Sequence, residues 1–254
     1  MRGKIFLIRR KYITALAVAL AVVAIFYIIN HPRLVGDRAA GRLLPIYSVQ
    51  REDRAISLTF NTAEAEDFYT AEVLEILNTH GIRATFFVTV DWVGQHEALA
   101  TRLAMGGHEL MNLGDDHRPL RQMSMEELQS RVLACNDAIR LVTGEPPTVF
   151  RALYGQYDDR MVAGVGALGM HTVQWSIDSG DRRGAEAPAI TRQVLSRAAP
   201  GGIVLLHSHL EQTALALPEV LVGLLEAGYE LVPVSELMLQ TEYTISLTGR
   251  QIPG

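Results

Sequence analysis

Apolar and polar positions follow two different periods along this chain. Short runs rich in β-branched and aromatic residues read as buried strands: 55–60, 84–89, 108–110, 148–150, 171–175, 202–206 and 230–233. Between them the apolar residues recur at helical spacing. A helix over 70–79 puts Val73, Leu74 and Leu77 on one face, and another over 97–105 stops at Gly106-Gly107. Ser124-Met125-Glu126-Glu127 has the form of a capping box. The long helix it opens carries Leu128, Val132, Cys135, Ile139 and Val142 on its apolar side and ends at Gly144 and Pro146-Pro147. Further helices fall around 158–168, 189–198 and 214–227.

Seven strand–helix units in strict alternation imply parallel strands with right-handed crossovers. Periodicity alone leaves an open doubly wound sheet and a closed or nearly closed barrel both standing. The polar residues at the strand ends favour the ring. Asn61, Asp91, His117, Arg151, Asp178 and His207 each follow a strand, and such groups converge only when the strands curl into a barrel. No glycine-rich phosphate loop follows the first strand, which disfavours a nucleotide-binding sheet. The expected fold class is therefore α/β, a distorted (β/α)7 barrel.

The N-terminus breaks both periods. Arg2, Lys4, Arg9, Arg10 and Lys11 precede an apolar run from Tyr12 to Ile29 in which Thr14 is the one weakly polar member. At about 1.5 Å per residue the run just crosses a bilayer. The basic residues ahead of it stay on the cytoplasmic side, so the body faces outward. A cleaved signal peptide is the competing reading, with Ala17, Ala19 and Ala21 as small residues, but the apolar stretch continues past a usual signal core. The expected organisation is a basic cytoplasmic terminus over 1–11, one transmembrane anchor over 12–29, a linker over 30–50, the barrel over 51–240 and a tail over 241–254. The expected location is the cell membrane, single-pass, with the barrel extracytoplasmic.

Composition changes little in this picture. With 48% hydrophobic residues a 254-residue chain can build a full core. A net charge of −5 and no basic stripe in the body argue against a nucleic-acid partner. The single cysteine, Cys135, excludes an internal disulfide and lies on an apolar helix face, which makes it a core residue.

Five strings at strand ends carry a specific resemblance. They are Thr59-Phe60-Asn61-Thr62; Gly107-His108-Glu109-Leu110 with His117 beyond; Arg151-Ala152-Leu153-Tyr154-Gly155; Trp175-Ser176-Ile177-Asp178-Ser179-Gly180-Asp181; and Gly202-Ile203-Val204-Leu205-Leu206-His207-Ser208. In this order they resemble the five motifs of the polysaccharide deacetylase (NodB-like, carbohydrate esterase family 4) proteins, over about 55–239. The details are most similar to the branch associated with sporulation, whose members also often carry an N-terminal anchor and an altered first motif. The resemblance implies a distorted barrel of about seven strand–helix units, in agreement with the independent count. It also implies hydrolysis of N-acetyl groups on the amino sugars of cell-wall glycan, peptidoglycan included. In the family a divalent metal polarises the acetyl carbonyl and a water, an aspartate takes the water's proton, and a histidine protonates the leaving amine.

Carried over residue by residue, the resemblance is partial. Asn61 and Thr62 occupy the positions of the family's base and first metal ligand. Leu113 occupies the position of one ligand histidine, and His117 keeps the other. Glu66 is the tentative replacement ligand, with Glu64, Asp67, Asp115 and Asp116 near it in sequence. Such a set would suit manganese or magnesium about as well as zinc, or leave the site without metal. Arg151 matches the arginine that steadies the base, Asp178 the carboxylate that pairs with the acid histidine, and His207 that histidine. Tyr154 and Trp175 fall at substrate-binding positions, and Arg182 replaces an expected tryptophan.

Each residue also has a plainer role open to it. His207 and His108 could be hydrogen-bonded core histidines, His117 and His209 surface residues, and Arg151 with Asp178 a buried ion pair that braces the barrel. Three functions follow: a wall-glycan deacetylase; a membrane-tethered glycan-binding or scaffold protein that keeps the groove without the chemistry; and a glycosidase built on Glu66 and Asp178, which the motif set does not support.

Overall fold

The computed structural model describes residues 42–114 and 123–254. The expected anchor over 12–29 lies outside the described residues. Among the described residues no helix is long and apolar enough to cross a membrane.

The chain runs through β1 (Ser48–Val49), β2 (Ala55–Thr62), α1 (Thr70–Thr79), β3 (Thr85–Val88), α2 (Val90–Gln95), α3 (Glu97–Met105) and β4 (Glu109–Asn112). It continues through α4 (Met125–Thr143), β5 (Val149–Phe150), α5 (Asp159–Ala167), β6 (His171–Thr172), β7 (Ile177–Asp178), α6 (Ala187–Arg197) and β8 (Ile203–His207). It closes with α7 (Glu211–Glu226), β9 (Glu230–Leu231), α8 (Val234–Leu237), β10 (Tyr243–Ile245) and β11 (Arg250–Pro253). The central sheet has the order β6-β5-β4-β3-β2-β8-β7, with β9 beside the start of β2. Every pairing in it is parallel. All eight residues of β2 are buried, as expected for a strand covered on both faces.

Alternation along the strands sorts side chains into two layers. Ile56, Leu58 and Phe60 face α1 and α7 and pack with Val73, Leu74, Leu77, Leu217 and Leu221. Ala55 packs inside the curl with Phe87, Met111, Leu113, Val149, Val173 and Ile203. Asn61 belongs to this inner row by the same alternation and sits at its C-terminal end.

The sheet departs from strict strand–helix alternation in one place. No helix separates β6 from β7, and β7 was not expected from the sequence. The result is a curled parallel sheet. Residues 46–49 bridge its open side: Ile46 N–H donates to the Thr172 carbonyl at 2.9 Å, and Val49 N–H donates to the Gly201 carbonyl at 2.9 Å. This approach requires a glycine, because Gly201 has φ +74° and a Cβ there would lie 1.7 Å from the Val49 carbonyl oxygen. The expected linker and tail are therefore partly body. β1 pairs with β11, and β10 with β11, in a separate three-stranded sheet.

The expected helix starting at Ser124 forms, with the Ser124 hydroxyl accepting from Glu127 N–H and Gly144 closing the helix at φ +82°. Cys135 is buried on its apolar face. His108 is a core residue. Its Nδ1 accepts from the Ala84 N–H at 3.2 Å, and its ring meets Phe86 edge-on at 5.5 Å. Burial, helped by the nearby Arg83 charge, pushes its pKa down to about 4. The unfolded chain therefore takes up this proton first as pH falls. Stability attributable to His108 is complete above about pH 6.5 and declines toward pH 4. Urea midpoints measured across that range should fall less steeply for His108→Gln than for wild type, and identical slopes would assign the acid sensitivity elsewhere.

Candidate active site at the C-terminal rim of the sheet

β2, β5 and β8 deliver three polar side chains to one place. Asn61 and His207 are partners in register on adjacent parallel strands, so their side chains leave the same face about 4.8 Å apart in the pairing direction. Arg151, just after β5, donates from Nη1 to Asn61 Oδ1 at 3.1 Å and from Nη2 to the Gln174 carbonyl at 3.1 Å. Its guanidinium lies 3.9 Å from the centre of the Phe87 ring and 5.7 Å from that of Trp175. Arg151 is fully buried and its Nε has no hydrogen-bond partner among the described residues. Burial pushes its pKa down to about 9, which leaves it charged at neutral pH.

His207 is held by Asp181. The Asp181 carboxylate accepts from the His207 ring Nδ1 at 2.9 Å, from the His207 backbone N–H at 2.6 Å and from the Thr213 hydroxyl at 2.8 Å. Burial alone would raise the Asp181 pKa, but these hydrogen bonds and the His207 charge outweigh it and hold the carboxyl below its ordinary value. With Nδ1 committed, Nε2 is the ring nitrogen left for chemistry. This corrects the expectation that Asp178 pairs with His207. Asp178 is in register with Leu205, two residues short of His207. Its carboxylate turns to the Gly180 N–H at 2.8 Å and to Arg183 Nη1 at 2.5 Å. The sequence signal for Asp181 was the Ser179-Gly180 step. Gly180 at φ +82° turns the chain so that the next carboxylate folds back onto β8.

Tyr154 and Trp175 flank the site. Tyr154 has a left-handed backbone, φ 58°, in the turn Leu153–Gly155, and the Arg182 guanidinium sits 4.8 Å from its ring centre. Arg182 also lies 3.7 Å from Glu64. Trp175 packs against the same turn, since a Cβ at Gly155 would come within 2.9 Å of its ring. His209, read from sequence as a surface residue, is half-buried, with its ring edge-on to that of His207 at 6.1 Å. Its Nδ1 is buried without a partner among the described residues, and burial lowers its pKa.

The metal positions are built differently. The Thr62 hydroxyl is 2.7 Å from that of Ser208, which is 2.7 Å from that of Thr70. Thr70 in turn donates to Asp67 at 2.6 Å, and Trp92 Nε1 donates to the same carboxylate at 2.9 Å. Leu113 is fully buried in the inner apolar layer, and Glu66 is exposed. His117, Asp115 and Asp116 lie outside the described residues. Among the described residues no three His, Cys, Asp or Glu side chains come together.

The polysaccharide deacetylase family matches residues 48–173. A chitooligosaccharide deacetylase of Bradyrhizobium sp. is 30% identical over 76% of this chain and 98% of its own length. The chain belongs to the polysaccharide deacetylase family. A peptidoglycan-N-acetylglucosamine deacetylase of Listeria monocytogenes is 33% identical over 74% of this chain, and the match spans 39% of that longer protein. Among solved structures, a family 4 carbohydrate esterase pseudoenzyme from Bacillus anthracis superposes with a TM-score of 0.73 at 26% identity, covering 83% of this chain and 73% of its own. A mutant of that protein described as having restored enzymatic activity matches with a TM-score of 0.72 at 28% identity, covering 76% of this chain and 70% of its own. The deacetylases of this family are hydrolases acting on carbon–nitrogen bonds, and the curled parallel sheet seen here matches the family fold.

Proposed function

We propose that this chain is a deacetylase-type protein of cell-wall glycan, tethered by the Tyr12–Ile29 segment with its barrel outside the cytoplasmic membrane. The observation that carries the reading is the Asp181–His207 pair standing beside Asn61 at the sheet's C-terminal rim. An acetamide placed there meets two kinds of help. His207 Nε2 takes a proton as water adds to the acetyl carbon and returns it to the nitrogen as the C–N bond breaks, giving acetate and a free amine. Asn61 cannot accept that proton. Its NH2 can donate to the developing oxyanion, with the Arg151 charge behind it.

A second reading is glycan binding without turnover. It is favoured by Thr62 and Leu113, which spend the ligand positions on a hydroxyl chain and on core packing. Assays on N-acetylated glycan oligomers divide the two. Mass-resolved acetate release supports the hydrolase. Retention on the glycan with no release supports the binder, and neither signal overturns both.

The tether makes its own prediction. A reporter enzyme active only outside the cytoplasm, fused at the C-terminus, should give signal in the membrane fraction. A full-length product found soluble in the cytoplasm would contradict the proposed placement.

A further inference from the structure

α7 carries an exposed crest that the proposed chemistry does not use. One flank of it is fixed by α6. Gln212 accepts from the Ala187 N–H at 3.0 Å, and Gly223 lies so close to Leu195 that a Cβ there would come within 2.6 Å of its side chain. On the opposite flank, toward α1, Leu215, Val222 and Leu225 are 55%, 44% and 43% exposed, with half-buried Pro218 among them. At about 100° per residue these four fall within about 80° of arc, which makes a row of them. Single exposed apolar residues are ordinary on a protein surface, whereas a contiguous row marks a contact. Exposed Glu219 and Glu226 stand on the α6 flank of the crest, and α6 adds exposed Arg192 and Arg197 beside them. Among the described residues none of these four charges is in an ion pair. Glu211 precedes the row at the start of the helix.

We infer that this crest docks a second copy of the chain, through an isologous two-fold contact whose axis crosses α7. Such an axis runs the two α7 helices antiparallel and sets each flank against its own counterpart. The apolar row then meets the apolar row, and both leave water. Glu219 and Glu226 meet Arg192 and Arg197 of the second copy, so that a charged rim flanks an apolar centre. An axis along α7 would instead lay Glu219 and Glu226 on the apolar row of the second copy and bury carboxylates against leucine and valine. The contact is one helix crest wide, small for a protein interface, so the association is weak and follows concentration. It lies on the outer helix layer, away from the rim, and goes beyond the proposed function without depending on it.

Sedimentation equilibrium of the full-length protein in a density-matched detergent, over a series of concentrations, tests this. The expected result is a reversible monomer–dimer equilibrium. Val222→Glu should weaken it by roughly tenfold or more, because the change enters a two-fold contact twice. Arg192→Glu should weaken it by roughly threefold or more, since exposed charges each contribute little. Adding Glu219→Arg to Arg192→Glu should return the dissociation constant to the wild-type value, a recovery that misfolding cannot imitate. A monomer at every concentration overturns the inference. So does a dimer unchanged in Val222→Glu, because association then runs through another part of the chain. A double variant as weak as Arg192→Glu alone removes the antiparallel pairing and overturns it too. A monomer that binds phospholipid vesicles, with the binding lost in Val222→Glu, gives the crest to lipid and overturns the second copy as its occupant.

Discussion

Acetate release should fall by roughly 100-fold or more when His207 is replaced by alanine, the loss expected for removing a proton-transfer group. Asp181→Asn should give a comparable loss with the fold intact. Asp181 accepts both the His207 backbone N–H and its ring N–H, so the amide can hold the ring but can present the wrong hydrogen-bonding group to Nδ1. Asp178→Asn should leave most of the activity, because that carboxylate is engaged by Arg183 at the rim. Initial rates on one N-acetylated oligomer check all three. Equal losses in Asp178→Asn and Asp181→Asn would mean that the Asp181–His207 pairing is not what sustains the reaction. If the wild type binds glycan and releases no acetate, the same variants are read for retention instead, and His207→Ala should weaken it.

The second large effect is on stability. Asn61→Asp should raise the unfolding free energy by about 2 kcal/mol at pH 7, somewhat below the cost of breaking a buried pair, because the new carboxylate must also be desolvated. For a body of this size that corresponds to roughly 4–8 °C in midpoint temperature. The sign follows from Arg151, whose guanidinium would hold the new carboxyl below its unfolded pKa near 3.9. The gain is therefore present above about pH 4 and lost as pH falls through the folded-state value. Arg151→Met, which removes a charge that no described residue pairs, at similar volume, should be neutral or stabilising. Thermal unfolding of the three proteins at pH 7 and pH 3 tests this. A destabilised Asn61→Asp would show that Arg151 is already compensated.

Much of the fold was legible because its strands are buried on both faces. β2 and β8 are buried runs closed by a polar residue, and β3 is a buried β-branched and aromatic run, patterns from which all three are read as strands. β7 was not legible, since β6 stops at Thr172, short of the expected 171–175 strand, and two isolated residues beyond Trp175 carry no period of their own. The role of residues 46–50 and 241–254 was hidden for a related reason. Short strands that pair with each other across about 200 residues leave no local signal. At the site, Asn61, Arg151 and His207 were placed correctly at strand ends. The motif assigns the pairing carboxylate to Asp178, and only register and a glycine turn show that Asp181 is the one that reaches β8. His209 was missed because burial of one ring nitrogen depends on its three-dimensional neighbours.

The central claim is that glycan engages the rim where Asn61, Arg151 and the Asp181–His207 pair meet. Titrating the isotope-labelled protein with an N-acetylglucosamine oligomer, and following backbone amide resonances, tests it most directly. The account predicts saturable shifts clustered at Asn61, Arg151, Tyr154, Trp175, Asp181 and His207. Saturable shifts confined to the opposite end of the sheet, at residues such as Ala55, Glu109 and Gly202, would contradict it.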